Sequence, residues 1–144
     1  MRKKIIYLVL TLALMLLLLL GCGNSSDNIA YKDGTYTGKS SEDDQGAYGE
    51  AAVTIDDNKI TSCKYVTWQS DRTVKDEEYG KVNGEISNRD YYDKAQLAVK
   101  AMQQYAQELV EVQKLEDVDA VSGATIAYNQ FVEAAKKALE EAKK

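Results

Sequence analysis

An α+β fold, a small antiparallel β-sheet covered by helices from the C-terminal half, is what the sequence predicts, and two patterns carry it. Residues 47–68 alternate apolar and polar, with β-branched content on both sides of the polar run Asp56-Asp57-Asn58-Lys59, as a hairpin does. Residues 92–112 and 125–142 place apolar residues at three- and four-residue spacing, as amphipathic helices do. Strands that precede helices instead of alternating with them favour a layered α+β arrangement over a parallel α/β sheet.

The first 21 residues stand apart from that fold. Arg2, Lys3 and Lys4 precede an apolar run from Ile5 to Leu20, the layout of a cleaved export signal. As a helix the run would reach only about 24 Å at 1.5 Å per residue, short of the roughly 30 Å hydrocarbon core. Leu19-Leu20-Gly21-Cys22 resembles a bacterial lipobox, which implies that the Cys22 thiol is lipidated and becomes the first mature residue. A plain signal peptide or a membrane anchor with an incidental cysteine is the alternative. The expected division is a signal over 1–21, a lipidated tether over 22–30 rich in Asn, Ser and Asp, and one domain over 31–144. Its expected location is the extracytoplasmic face of the cell membrane.

Charge and composition narrow the chemistry. The leader takes three cations and no acid from a chain with 18 basic and 23 acidic residues, so the remainder has 15 against 23 and a formal charge of −8. Nucleic acid is not an expected partner. There is no histidine, which excludes a Ser-His-Asp or Cys-His apparatus in its usual form, and no catalytic residue is assigned. With Cys22 lipidated, Cys63 is left alone as a small core residue, and neither a disulfide nor a zinc site can be built. No metal site is expected: Glu42, Asp43 and Asp44 read as a solvated charge run, although such a triplet could hold a hard cation.

The elements follow in order. Asp33-Gly34 is a turn that leads into a short alternating strand ending near Gly38. The hairpin pairs Ala51–Ile55 with Ile60–Trp68. From Gln69 to Asp90 the chain is polar, and it is read as a long loop with one short strand near Ile86 and a share in a binding site. The first helix, Tyr92 to Val112, aligns Ala95, Ala98, Met102, Tyr105, Leu109 and Val112. The second, Thr125 to Ala142, aligns Phe131, Ala134, Ala135, Ala138 and Ala142, with Lys136, Lys137, Lys143 and Lys144 placed to complement its dipole.

Between the helices lies Asp119-Ala120-Val121-Ser122-Gly123-Ala124-Thr125. Ser122 is a natural N-cap, and Gly123 and Ala124 leave the backbone uncovered. Thr125 would then sit in the first turn, with its hydroxyl beside the unpaired N–H groups that make a helix start an anion site. A tight turn ahead of an ordinary helix accounts for the same residues.

The stretch resembles the D-x-x-S/T-G-A-T/S motif of the FMN-binding domain family, which includes subunits of the sodium-translocating NADH:quinone reductase and of the Rnf complex. Tyr31–Gly38, the hairpin through DNKITSCKYV and the run YYDKAQLAVKAM are similar to the domain as it occurs in bacterial surface lipoproteins. The resemblance implies that an FAD:protein FMN transferase joins FMN through its phosphate to Thr125, with Asp119, Ser122, Gly123 and Ala124 completing the motif. It implies an electron carrier, more than a self-contained enzyme, served by a membrane electron donor and held to membrane lipid through Cys22. A non-redox surface lipoprotein, a ligand-binding or adhesion module without flavin, is the other class. The chain departs from the family in having no proline, so Thr73–Gly80 stands in place of a Thr-Pro-Gly loop, and Ala127 stands where a further hydroxyl is common. Trp68, Tyr48, Tyr79 and Tyr128 are the candidate ring contacts, on aromatic chemistry alone.

Overall fold

A computed structural model describes residues 29–144; the signal, Cys22 and most of the tether lie outside the described residues. Three strands form an antiparallel meander, β1 (Gly34–Lys39), β2 (Tyr48–Asp56) and β3 (Lys59–Trp68), in the order β1-β2-β3. Two helices, α1 (Arg89–Val112) and α2 (Thr125–Ala142), cover one face, α1 against β3 and α2 against β1 and β2. The α+β expectation holds.

The hairpin turns tightly at Asp57 and Asn58, whose φ values of 50° and 60° are the left-handed pair that a two-residue turn needs. The Asn58 side chain also accepts from the Tyr31 N–H at 2.6 Å. Register pairs Ala51 with Tyr65 and Val53 with Cys63; a bulge at Thr54/Ile55 then sets Ile55 opposite Ile60, so that both stay buried. Val53, Ile55, Ile60 and Tyr65 meet Tyr105 and Leu109 of α1 and Phe131 of α2 in one core. Phe131 is fully buried, a contribution of roughly 1.5–3 kcal/mol relative to an exposed ring.

Alanine spacing on α2 has a geometric purpose. Ala134, Ala135, Ala138 and Ala142 are all fully buried, and against them lies Gly38 of β1. A Cβ on Gly38 would stand 2.6 Å from the Ala138 nitrogen and closer still to the Ala134 carbonyl oxygen. Helix and strand therefore touch backbone to backbone, which only small residues permit.

Three expectations are revised. α1 begins at Arg89, three residues before the predicted start, because Asn88 caps it by accepting from the Tyr91 N–H at 3.0 Å. No strand forms near Ile86; the only pairing there is an isolated bridge between Val82 and Glu85. Two of the four lysines near the end of α2 are engaged elsewhere: Lys137 reaches Glu133 and the Lys39 carbonyl, both at 2.9 Å, and Lys136 lies 4.0 Å from Glu140. A carboxylate one turn away in each case, and for Lys137 a backbone carbonyl on β1 as well, compete with the dipole for those two cations.

Cys63 is free and half-buried on β3, and burial pushes its thiol up to about 12. The thiolate is the nucleophile, so almost none is present near neutrality. Native protein at pH 8 is expected to react with an alkylating agent at least tenfold more slowly than protein in denaturant, read by intact mass; equal rates would place Cys63 at the surface.

Candidate functional site

A cleft of about 500 Å³ opens where the two helices begin. Its walls come from five places distant in sequence: the acidic loop at Asp43, Asp44 and Gln45, β3 at Thr67, the long loop at Lys75 and Tyr79, α1 from Tyr91 to Met102, and the turn and start of α2 from Gly123 to Gln130. Ala95, Ala98, Val99 and Met102 make one side apolar, while Lys75, Lys94, Asp43 and Asp44 add charged groups to the lining. A mostly apolar cleft with a few convergent polar groups suits a small organic ligand, and the volume lies within the roughly 300–1,000 Å³ of such sites.

Local chemistry places each wall. Val121–Ala124 form a turn closed by the Ala124 N–H on the Val121 carbonyl at 3.0 Å, with Gly123 at φ 86°. That φ favours glycine, and a Cβ there would also stand 3.0 Å from Leu97. The turn is fixed from behind by Tyr105, which is fully buried and whose hydroxyl accepts from the Val121 N–H at 3.1 Å. Ser122 is not the N-cap. The left-handed Gly123 delays the helix by two residues, Ala124 takes the cap position, and no side chain caps this end. The first N–H groups of α2 therefore stay open, beside the exposed Thr125.

The long loop reaches the cleft because α1 holds it. Gln96 donates to the carbonyls of Tyr79 at 2.9 Å and Asp76 at 3.1 Å. Tyr79 packs edge-on against Tyr91 with centroids 6.5 Å apart, and Lys75 lies 5.0 Å over the Tyr79 ring. Burial lowers Lys75 from the usual lysine range while the Asp43 carboxylate pulls the other way. Burial first, then the Tyr91 hydroxyl, pushes Tyr79 up to about 12, so it remains a neutral donor at neutral pH.

The acidic loop is built around Asp43, whose carboxylate accepts from the N–H groups of Gln45 and Ala47, both at 2.9 Å. Asp43 thus shapes a turn. Among the described residues no group of His, Cys, Asp and Glu could hold a metal ion. Gln130, nine-tenths buried on α2, ties this loop down through its Nε2, which donates to the Ala47 carbonyl at 2.9 Å and lies 3.4 Å from Asp43 Oδ2. Its Oε1 is buried without a partner, and such an acceptor costs about 1–3 kcal/mol while unserved.

The sequence profile of the FMN-binding domain matches residues 47–140. The chain belongs to the FMN-binding domain family. The match takes in the hairpin, α1, α2 to within two residues of its end and every cleft wall but Asp43–Gln45, and it makes this a flavin-binding protein with FMN as its cofactor. A crystal structure of a protein from Clostridium perfringens is similar over 78% of this chain and 88% of that one, at 28% identity and a TM-score of 0.62. A solution structure from Clostridium thermocellum covers 78% of this chain and 93% of its own, at 25% identity and a TM-score of 0.47. No curated protein matches.

Within this FMN-binding domain, the motif residues divide. Thr125, Gly123 and Ala124 line the cleft, Ala124 with its methyl buried. Asp119 and Ser122 do not; Asp119 is placed by its N–H donating to Glu108 Oε1 at 3.2 Å. Of the four aromatic candidates only Tyr79 lines the cleft. Tyr128 packs behind it, edge-on to Tyr105 at 5.4 Å with its hydroxyl on the Val118 carbonyl at 3.0 Å, and Tyr48 lies under Lys39 at 3.5 Å. Trp68 pairs with Tyr48 at the end of the sheet, away from the cleft lining.

Tyr91, Lys75, Lys94 and Gln130 are cleft residues that sequence reasoning did not single out. Gln130 carried a signal: it falls at helical spacing between Ala127 and Ala134, so a polar residue interrupts a buried apolar face. The residues fit a flavin. Apolar walls can take its ring, an uncapped helix start can take its phosphate, and Gln130 Oε1 lacks a donor.

Proposed function

We propose that the chain is a membrane-tethered flavoprotein outside the cytoplasmic membrane that passes electrons from a membrane donor to an external acceptor, with FMN bonded through a phosphodiester to Thr125 and the chain held to lipid through Cys22. The observation that carries the reading is the exposed Thr125 hydroxyl at the uncapped start of α2, opening on the cleft. An FAD:protein FMN transferase would form the bond between the Thr125 oxygen and the FMN phosphorus, with AMP leaving and the hydroxyl proton released. The flavin, when bound, supplies reversible electron transfer.

This chain's residues do the rest. The first N–H groups of α2 and the positive end of its dipole would stabilise the remaining phosphate charge by about 0.3–1 kcal/mol, more if partly buried. Ala98, Val99 and Met102 exclude water from one side, and Tyr79 and Tyr91 offer flat aromatic surface at the mouth. Lys94 and Lys75 bring positive charge to a domain whose overall charge is negative.

Intact mass of the denatured protein, co-expressed with a flavin transferase, tests the attachment. Wild type is expected to gain one FMN-sized adduct and Thr125→Val none. A wild-type chain that gains no adduct would remove covalent attachment, and a valine variant that gains it equally would move the bond from Thr125 to another residue.

A further inference from the structure

Among the described residues three buried side-chain polar atoms have no hydrogen-bond partner: Trp68 Nε1, Glu108 Oε2 and Gln130 Oε1. Only Gln130 belongs to the cleft lining. Its amide is committed on one side, because Nε2 faces two acceptors, the Ala47 carbonyl and Asp43 Oδ2. That fixes which end is oxygen, and leaves the oxygen able only to accept. Anchoring the acidic loop explains the nitrogen and gives the oxygen nothing. What is missing is a donor, and the protein around Gln130 supplies none.

An oxidised isoalloxazine carries a single ring N–H, at N3, between two carbonyls. Gln130 lies about 7.5 Å beyond Thr125 along α2, at 1.5 Å per residue. A ribityl chain running from a phosphate at the helix start would deliver the ring to that depth of the cleft. We propose that Gln130 is the residue by which the cleft orients the flavin ring, its Oε1 accepting from N3–H. The pyrimidine edge then lies inward beneath the acidic loop, and the dimethylbenzene edge lies toward the open mouth. This rests on the flavin occupying the cleft, but it does not require the bond to Thr125.

Lumiflavin, which has neither ribityl chain nor phosphate, and its N3-methyl derivative separate the two questions. Binding is read by flavin fluorescence on Thr125→Val protein, so that no covalent flavin competes. The Thr125→Val protein is expected to bind lumiflavin at least tenfold more tightly than N3-methyl-lumiflavin. Adding Gln130→Met should bring that ratio to within twofold of one. Adding Gln130→Glu instead, which keeps an acceptor at the same reach, should preserve it even if the loop loosens and both affinities fall. The ratio compares two ligands on one protein, so a general loss of stability cancels. Equal binding of the two flavins to the parent, or a ratio that survives Gln130→Met, overturns the assignment while leaving attachment at Thr125 intact. Absence of any lumiflavin binding overturns it as well, since the ring would then find no seat in the cleft.

Discussion

Gly38→Ala is expected to lower the thermal midpoint by about 10 °C or more, or to abolish soluble folding. Overpacking a core costs typically about 1–3 kcal/mol because side chains can shift. Here the obstacle is not a side chain. The added methyl would meet the Ala134 carbonyl and the Ala138 nitrogen of α2, neither of which can move unless the helix does. The cost therefore lies at or above the top of that range, and roughly 4–8 °C accompanies each kcal/mol in a domain near this size. Gly84→Ala is the control: it too adds a methyl, and at a positive φ of 79° that disfavours alanine, but nothing lies within 4 Å of it. A midpoint for Gly38→Ala close to that of the control would mean that α2 is not seated on β1 as described. The effect extends to function, because lifting α2 also moves Thr125.

Tyr105→Phe is expected to cost about 1–3 kcal/mol and to slow flavin attachment severalfold while leaving the overall fold in place. The ring would still fill its site, stacked 5.6 Å from Phe131 and edge-on to Tyr128. Only the hydroxyl goes, and with it the acceptor for the Val121 N–H; the Ala124 carbonyl keeps the Tyr128 N–H at 3.0 Å. A part-buried donor left unserved carries up to that penalty. It falls on the turn that presents Thr125. Circular dichroism melts give the stability, and the time course of adduct formation with purified transferase gives the second quantity. Loss of stability with unchanged attachment would show that the turn needs no fixing from behind.

The helices and the hairpin were legible because each declares itself locally. α2 runs over the predicted residues, Thr125–Ala142, since its alanine and phenylalanine spacing is set by one partner surface. Arg89 and Asp90 begin α1 without any apolar periodicity, so only the Asn88 cap marks that start. The cleft was legible in part. Thr125, Gly123 and Ala124 belong to one contiguous motif, whereas Lys75, Tyr91 and Gln130 meet through folding and share no spacing in sequence. Ser122 misled because a good capping residue two positions early looks the same in sequence; the left-handed Gly123 decides the matter and is visible only in three dimensions. Tyr128 misled for the opposite reason. It adjoins the motif in sequence but packs, partly buried, against Tyr105 on the wall of a second cavity.

The ends of the described chain meet. Tyr31 bridges Lys143, the Lys32 N–H donates to the Ala142 carbonyl at 2.8 Å, and the Lys144 N–H donates to the Ala30 carbonyl at 3.0 Å. These contacts sit at the C-terminal end of α2, and the cleft sits at its beginning, about 27 Å away for 18 residues at 1.5 Å each. Chain arriving from the tether thus joins the domain at the pole opposite the cofactor cleft. With Cys22 in lipid as proposed, α2 would act as a strut that points the flavin outward. The domain would collect electrons by swinging on its leash and deliver them at its exposed tip.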